Sequence, residues 1–124
     1  MKFVLSDSNR YWWPVTVSIP DPEQPGKIMR QTLKILFEPK DQDEALNEQE
    51  RIAAISVPRE RMLAERAALM DVIKGWDDIV TDDKAPVPFT TENLTLALRK
   101  SWFRIGVYNA YAESLNGQEA LAGN

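Results

Sequence analysis

"ILFEPKDQDEALNEQERIAAI", Ile35 to Ile55, decides the fold, because the hydrophobic period changes inside it. On its upstream side, from Ile28, apolar residues alternate. Met29, Leu33, Ile35 and Phe37 share one face, with Gln31 as the exception, and Arg30, Thr32 and Lys34 share the other. A period of two marks a half-buried strand. On its downstream side Leu46, Ile52 and Ile55 are spaced for one broad helical face. Asp41 or Asp43 can cap that helix, with acids clustered in the first turn where the helix dipole favours them.

Working outward toward the N-terminus, Trp13, Val15, Val17 and Ile19 alternate with Pro14, Thr16 and Ser18. "PDPEQPGK" follows, with three prolines and a glycine in eight residues, which is turn chemistry. Two alternating runs joined by a turn predict an antiparallel hairpin. A lone hairpin is marginal in water and must pack on something. "KFVL", Lys2 to Leu5, is a candidate third short strand. Trp13, Val15, Val17, Leu33 and Ile35 are expected to be buried.

Working outward toward the C-terminus, Pro58 suits a first helical position, with Ser56 or Val57 as the cap. Met62, Leu69, Met70, Ile73 and Trp76 form a stripe at helical spacing, and Gly75 can end that helix. Arg51, Arg59, Arg61 and Arg66 interleave with Glu48, Glu50, Glu60 and Glu65, which predicts a solvated face laced with weak ion pairs.

"GWDDIVTDDKAPVPFTTENL", Gly75 to Leu94, carries four aspartates in adjacent pairs. An oxygen-ligand calcium loop needs alternating acids, a central glycine and a distal glutamate. Adjacent carboxylates point apart, so the aspartates read as the wet rim of a helix–loop–helix connection. Trp76, Pro86, Val87, Pro88, Phe89 and Thr90 form its structural motif: Trp76, Val87 and Phe89 are apolar pins, the prolines enforce extended backbone, and Thr90 caps the next helix.

In the last segment Leu94 and Leu98 form one stripe. Ile105, Tyr108, Ala112 and Leu115 then share a face, while Phe103, Val107 and Ala110 lie on another. A helix apolar on both sides is either fully buried or touches a partner. The partner reading selects Phe103, Val107 and Tyr111, on the side away from Ile105 and Ala112. Asn116-Gly117 is a helix stop.

The 124 residues fit one domain, with a hairpin region at 1–39, a helical region at 40–117 and a flexible tail at 118–124. The predicted class is α+β, an N-terminal antiparallel hairpin against a mainly helical C-terminal two-thirds. There is no cysteine and no histidine, which excludes thiolate, Ser-His-Asp and zinc–sulfur chemistry. The net charge of −4 lacks the basic footprint of nucleic-acid binding. No apolar run approaches membrane-spanning length and no signal-peptide pattern is present. No catalytic residue, cofactor or metal is expected.

With these pieces in order, the chain resembles the bacteriophage tail assembly chaperones of the long non-contractile-tail type. The resemblance rests on "WWPVTV" at Trp12–Val17, on "LFEPKDQDEA" and on "VIKGWDDIVTDDKAPVPFTTENL". The fourth element is the tyrosine- and alanine-rich terminal helix ending "AESLNG". Together these cover most of the chain. One departure is that the family turn often has glycine where this chain has Lys84 or Ala85.

The resemblance implies a non-catalytic protein of the infected or lysogenic host's cytoplasm, absent from the mature virion. It would bind the long, helical, apolar tape measure protein and keep it soluble, with weak self-association. It further implies a short form, encoded upstream of the tape measure protein and complete at residue 124. A longer frameshifted product would add a tail-tube-binding domain after about residue 120, where a polar tail leaves the core intact. The competing classes are a structural tail-completion or connector protein and a small carboxylate metal-binding module.

Overall fold

The computed structural model describes residues 1–120. Strands β1 (Tyr11–Pro20) and β2 (Ile28–Phe37) form the expected hairpin. Trp13 pairs with Ile35, Val15 with Leu33 and Val17 with Gln31. This register puts the apolar phases of both strands on one face, and Val15, Val17, Leu33, Ile35 and Phe37 are buried there. Trp13 is half-buried at the margin of the same cluster.

Helices α1 (Gln42–Ala53) and α2 (Pro58–Asp71) come next. Asp41 caps α1 by accepting a hydrogen bond from the Asp43 amide, and Pro58 opens α2 behind Val57. Lys40 bridges Glu48 of α1 at 2.7 Å and Asp71 at the end of α2 at 3.2 Å, tying the two helices together.

The chain after α2 departs from the helical reading. Strand β3 (Ile73–Asp77) pairs antiparallel with β2, so the sheet order is β1-β2-β3 and the class is α+β. Ile73 faces Phe37 and Trp76 faces Ile35, but Gly75 faces Leu36, so Lys74 is an extra residue beside the Leu36–Phe37 step. The bulge places Ile73 and Trp76, three residues apart, on the same inner face. A bulged strand thereby imitates a helical stripe, which is why the spacing predicted helix through Trp76. The third strand therefore comes from the region expected to be helical. Phe3, Val4 and Leu5 of the N-terminal candidate are exposed and outside any strand.

The acidic stretch is thus a strand–loop–helix connection rather than helix–loop–helix. Its tip turns back at Thr81–Ala85 and is closed by a Val80–Pro86 bridge. All four aspartates are exposed. Lys84 stands at φ +66°, the left-handed region that favours glycine. Thr90 caps α3 (Thr91–Leu98) by accepting from the Asn93 amide at 3.0 Å.

Helix α4 (Ser101–Leu115) lies across the inner face of β1. A Cβ built on Gly106 would stand 2.7 Å from the Thr16 carbonyl oxygen, so the missing side chain permits this approach. Near its C-terminal end the helix is pinned to the strand. Tyr11 and Ser114 share a hydroxyl–hydroxyl hydrogen bond of 2.7 Å, and the Trp13 indole donates to Glu113 at 3.1 Å. The Ser114 proton is used on the Tyr111 carbonyl, so Tyr11 is the donor of the first bond. α4 ends at Asn116 with Gly117 at φ +68°, as the helix-stop reading expects. Part of the tail expected at 118–124, and the attachment point for a longer product, lie outside the described residues.

Candidate functional site

The two sides of α4 have opposite fates. Gly106, one turn from Phe103 and Ala110, fixes which side meets the sheet. Val107 is 0% exposed, and Ala110 is buried beside it. Phe103 and Tyr111 pack against the same cluster. The Tyr111 ring lies 5.0 Å from Phe37, and Phe103 lies 6.5 Å from Trp76. Burial also raises the pKa of the Tyr111 phenol above its ordinary value. This corrects the expectation that Phe103, Val107 and Tyr111 form an exposed partner surface. They are the core side of the helix, and only Tyr111 also reaches a groove.

The outward side carries Ile105, Tyr108 and Leu115, which are 50%, 60% and 53% exposed. Tyr108 and Leu115 form one wall of an open groove of about 980 Å³. The opposite wall comes from α1 and α2, with Ile52, Met62 and Leu69 among its apolar residues. Met62 shares its helical stripe with the buried Leu69, yet it is 46% exposed at the groove. The groove exists because α1 packs on α2 while α4 packs on β1 and α3, leaving the two layers apart.

Charged residues edge this groove. Lys40 is held by Glu48 first and by Asp71 second, and these partners raise its pKa above the usual 10.5 against the opposing effect of burial. Arg61 donates through Nε to the Ile55 carbonyl at 3.0 Å. Arg66 Nε is buried and has no hydrogen-bond partner among the described residues. The expected lacework of arginine–glutamate pairs along α1 and α2 is not formed there. Among the described residues the ion pairs are Arg10–Glu38, Lys34–Asp78 and the two made by Lys40.

The Gly75–Leu94 motif forms a separate, smaller feature. The Trp76 indole donates to the Val87 carbonyl at 2.8 Å and meets Phe89 edge-on at 5.3 Å. Trp76, Pro86, Val87, Pro88 and Phe89 line a shallow hollow of about 310 Å³ with Asp77 and Asp78 at its edge. Its bonds lock the loop onto the sheet. Thr90 stands just beyond it as the α3 cap. Among the described residues no group of three or more acids, histidines or cysteines is arranged to hold a metal. None of the described helices is long and apolar enough to cross a membrane.

No protein-family model matches the chain, and neither do any curated proteins or solved structures.

Proposed function

We propose that this protein is a tail assembly chaperone. It acts by binding rather than catalysis, and its groove between α1–α2 and α4 receives apolar helical segments of a tape measure protein. The observation that carries the reading is the outward apolar side of α4. Tyr108 and Leu115 are more than half exposed beside an apolar groove, although the same helix already has a complete core side. A helix needs one apolar side to fold onto a sheet, and a second one serves a partner. An amphipathic helix laid in a groove is a recurrent recognition mode, with anchors at helical spacing. Weak sites repeated along one very long partner add by avidity, so a single shallow groove suffices.

The test is co-expression in a bacterial host with a tape measure protein of a long non-contractile tail. The expected result is that the partner moves from the pellet to the soluble fraction, and that Tyr108→Glu with Leu115→Glu returns it to the pellet. A partner that stays insoluble beside well-folded protein contradicts the reading. So does finding the chain in stoichiometric amounts in purified particles, which is the outcome for a connector or tail-completion protein.

A further inference from the structure

We infer that the helix received by the groove is acidic along one flank, with Arg66 and Arg104 as the cations that hold its carboxylates. This rests on the reading that the groove receives a helix, and it adds the chemistry of the occupant. The chain as a whole is acidic, at −4, yet the groove is not. Its lining holds Lys40, Arg61, Arg66 and Arg104 against Glu48 and Glu65.

These charges are not equally free. Lys40 and Glu48 satisfy each other, and Arg61 is engaged with a backbone carbonyl. Arg104 is exposed and forms no ion pair among the described residues. Arg66 Nε is enclosed without an acceptor, which is costly for a charged donor. Arg66 lines the groove and forms no ion pair among the described residues, so a carboxylate seated there would pair with the outer nitrogens of its guanidinium. The guanidinium fork fits a carboxylate with two parallel hydrogen bonds, and such charge-assisted bonds are the strong ones.

The distribution of charge also sets register. Carboxylates on the occupant are attracted where Arg66 and Arg104 stand, which favours one placement of the helix in the groove. An apolar stripe with carboxylates three or four residues apart beside it satisfies floor and rim together.

Three synthetic peptides of about 20 residues, long enough to form helix, test this. Each carries the same leucine stripe at alternating three- and four-residue spacing, with glutamate, glutamine or lysine on the flank. Binding is read by fluorescence anisotropy of labelled peptide at low and moderate salt. The glutamate peptide should bind about tenfold tighter than the glutamine peptide, and the lysine peptide weakest. The preference should shrink as salt rises. Arg66→Gln should narrow the gap between the glutamate and glutamine peptides, with Arg104 holding what remains of it. Arg104→Glu, at an exposed position, should reverse the preference toward lysine.

Equal or tighter binding of the lysine peptide overturns the inference, as does binding of none of the three. A glutamate preference indifferent to both arginine variants overturns it too. A chain that dimerises in sedimentation, and that Arg104→Glu disperses, assigns the groove to a second copy and also overturns it. Co-expression separates the two levels. A tape measure protein kept soluble without any glutamate preference removes the charge assignment and leaves the chaperone reading. A glutamate preference without solubilisation does the reverse.

Discussion

The α4–β1 contact and the α1–α2/α4 groove lie on two sides of one helix, yet they are built on opposite principles. At the contact every device brings surfaces together: Gly106 removes a side chain, Val107 and Ala110 fill the space, and Tyr11–Ser114 and Trp13–Glu113 fasten the end. At the groove Met62, Tyr108 and Leu115 stay about half-exposed and a guanidinium nitrogen is left without an acceptor. The first region is satisfied by the chain itself, and the second is left open, which is what the proposed partner would fill. An apolar sequence on a helix therefore does not identify its role. What identifies it is whether polar groups and volumes nearby are already matched.

Substitutions on the core side should break this contrast most severely. Phe103→Glu with Val107→Glu places charge where Val107 has no solvent contact, and unfolding is the expected outcome, because an unpaired buried charge costs several kcal/mol. Cooperative melting retained near the wild-type temperature would mean that the two sides of α4 have been assigned the wrong way round. Trp76→Ala comes next, at about 3–5 kcal/mol by denaturant titration, since it removes a core-edge indole and its bond to Val87.

Gly106→Ala sharpens the contrast from the backbone. The added methyl meets the Thr16 carbonyl at 2.7 Å, so the helix must lift from the strand, at about 1–3 kcal/mol. A neutral or stabilising result, as helix propensity alone would give, removes the close-approach argument. The smallest effect is expected in the acidic turn, far from both regions. Lys84→Gly relieves a left-handed backbone at φ +66° and should stabilise by about 0.5–1 kcal/mol, read as a rise in melting temperature.

Much of this architecture was legible in the sequence. The hairpin followed from alternation, and the helix starts at Asp41 (one of the two caps offered with Asp43), Pro58 and Thr90 from cap chemistry. β3 was not legible, because its bulge at Lys74 converts period two into a spacing of three, which is indistinguishable from a helix in one dimension. Which side of α4 meets the sheet was not legible from hydrophobicity, since both sides are apolar. Gly106 was the available signal. A glycine inside a helix marks a close backbone approach, and it points to the Phe103–Ala110 side. Arg66 and Arg104 carried no signal, because an unmatched charge is a property of the packed molecule.

The central claim is that the outward side of α4 binds and does not stabilise. Its most direct test is calorimetric titration of a solubilised tape measure fragment into the wild-type protein and into a Tyr108→Glu, Leu115→Glu variant. The variant should melt within a degree or two of wild type, since exposed substitutions change stability by about 0.5 kcal/mol or less each, while its binding heat disappears. Undiminished binding by a normally folded variant would contradict the account.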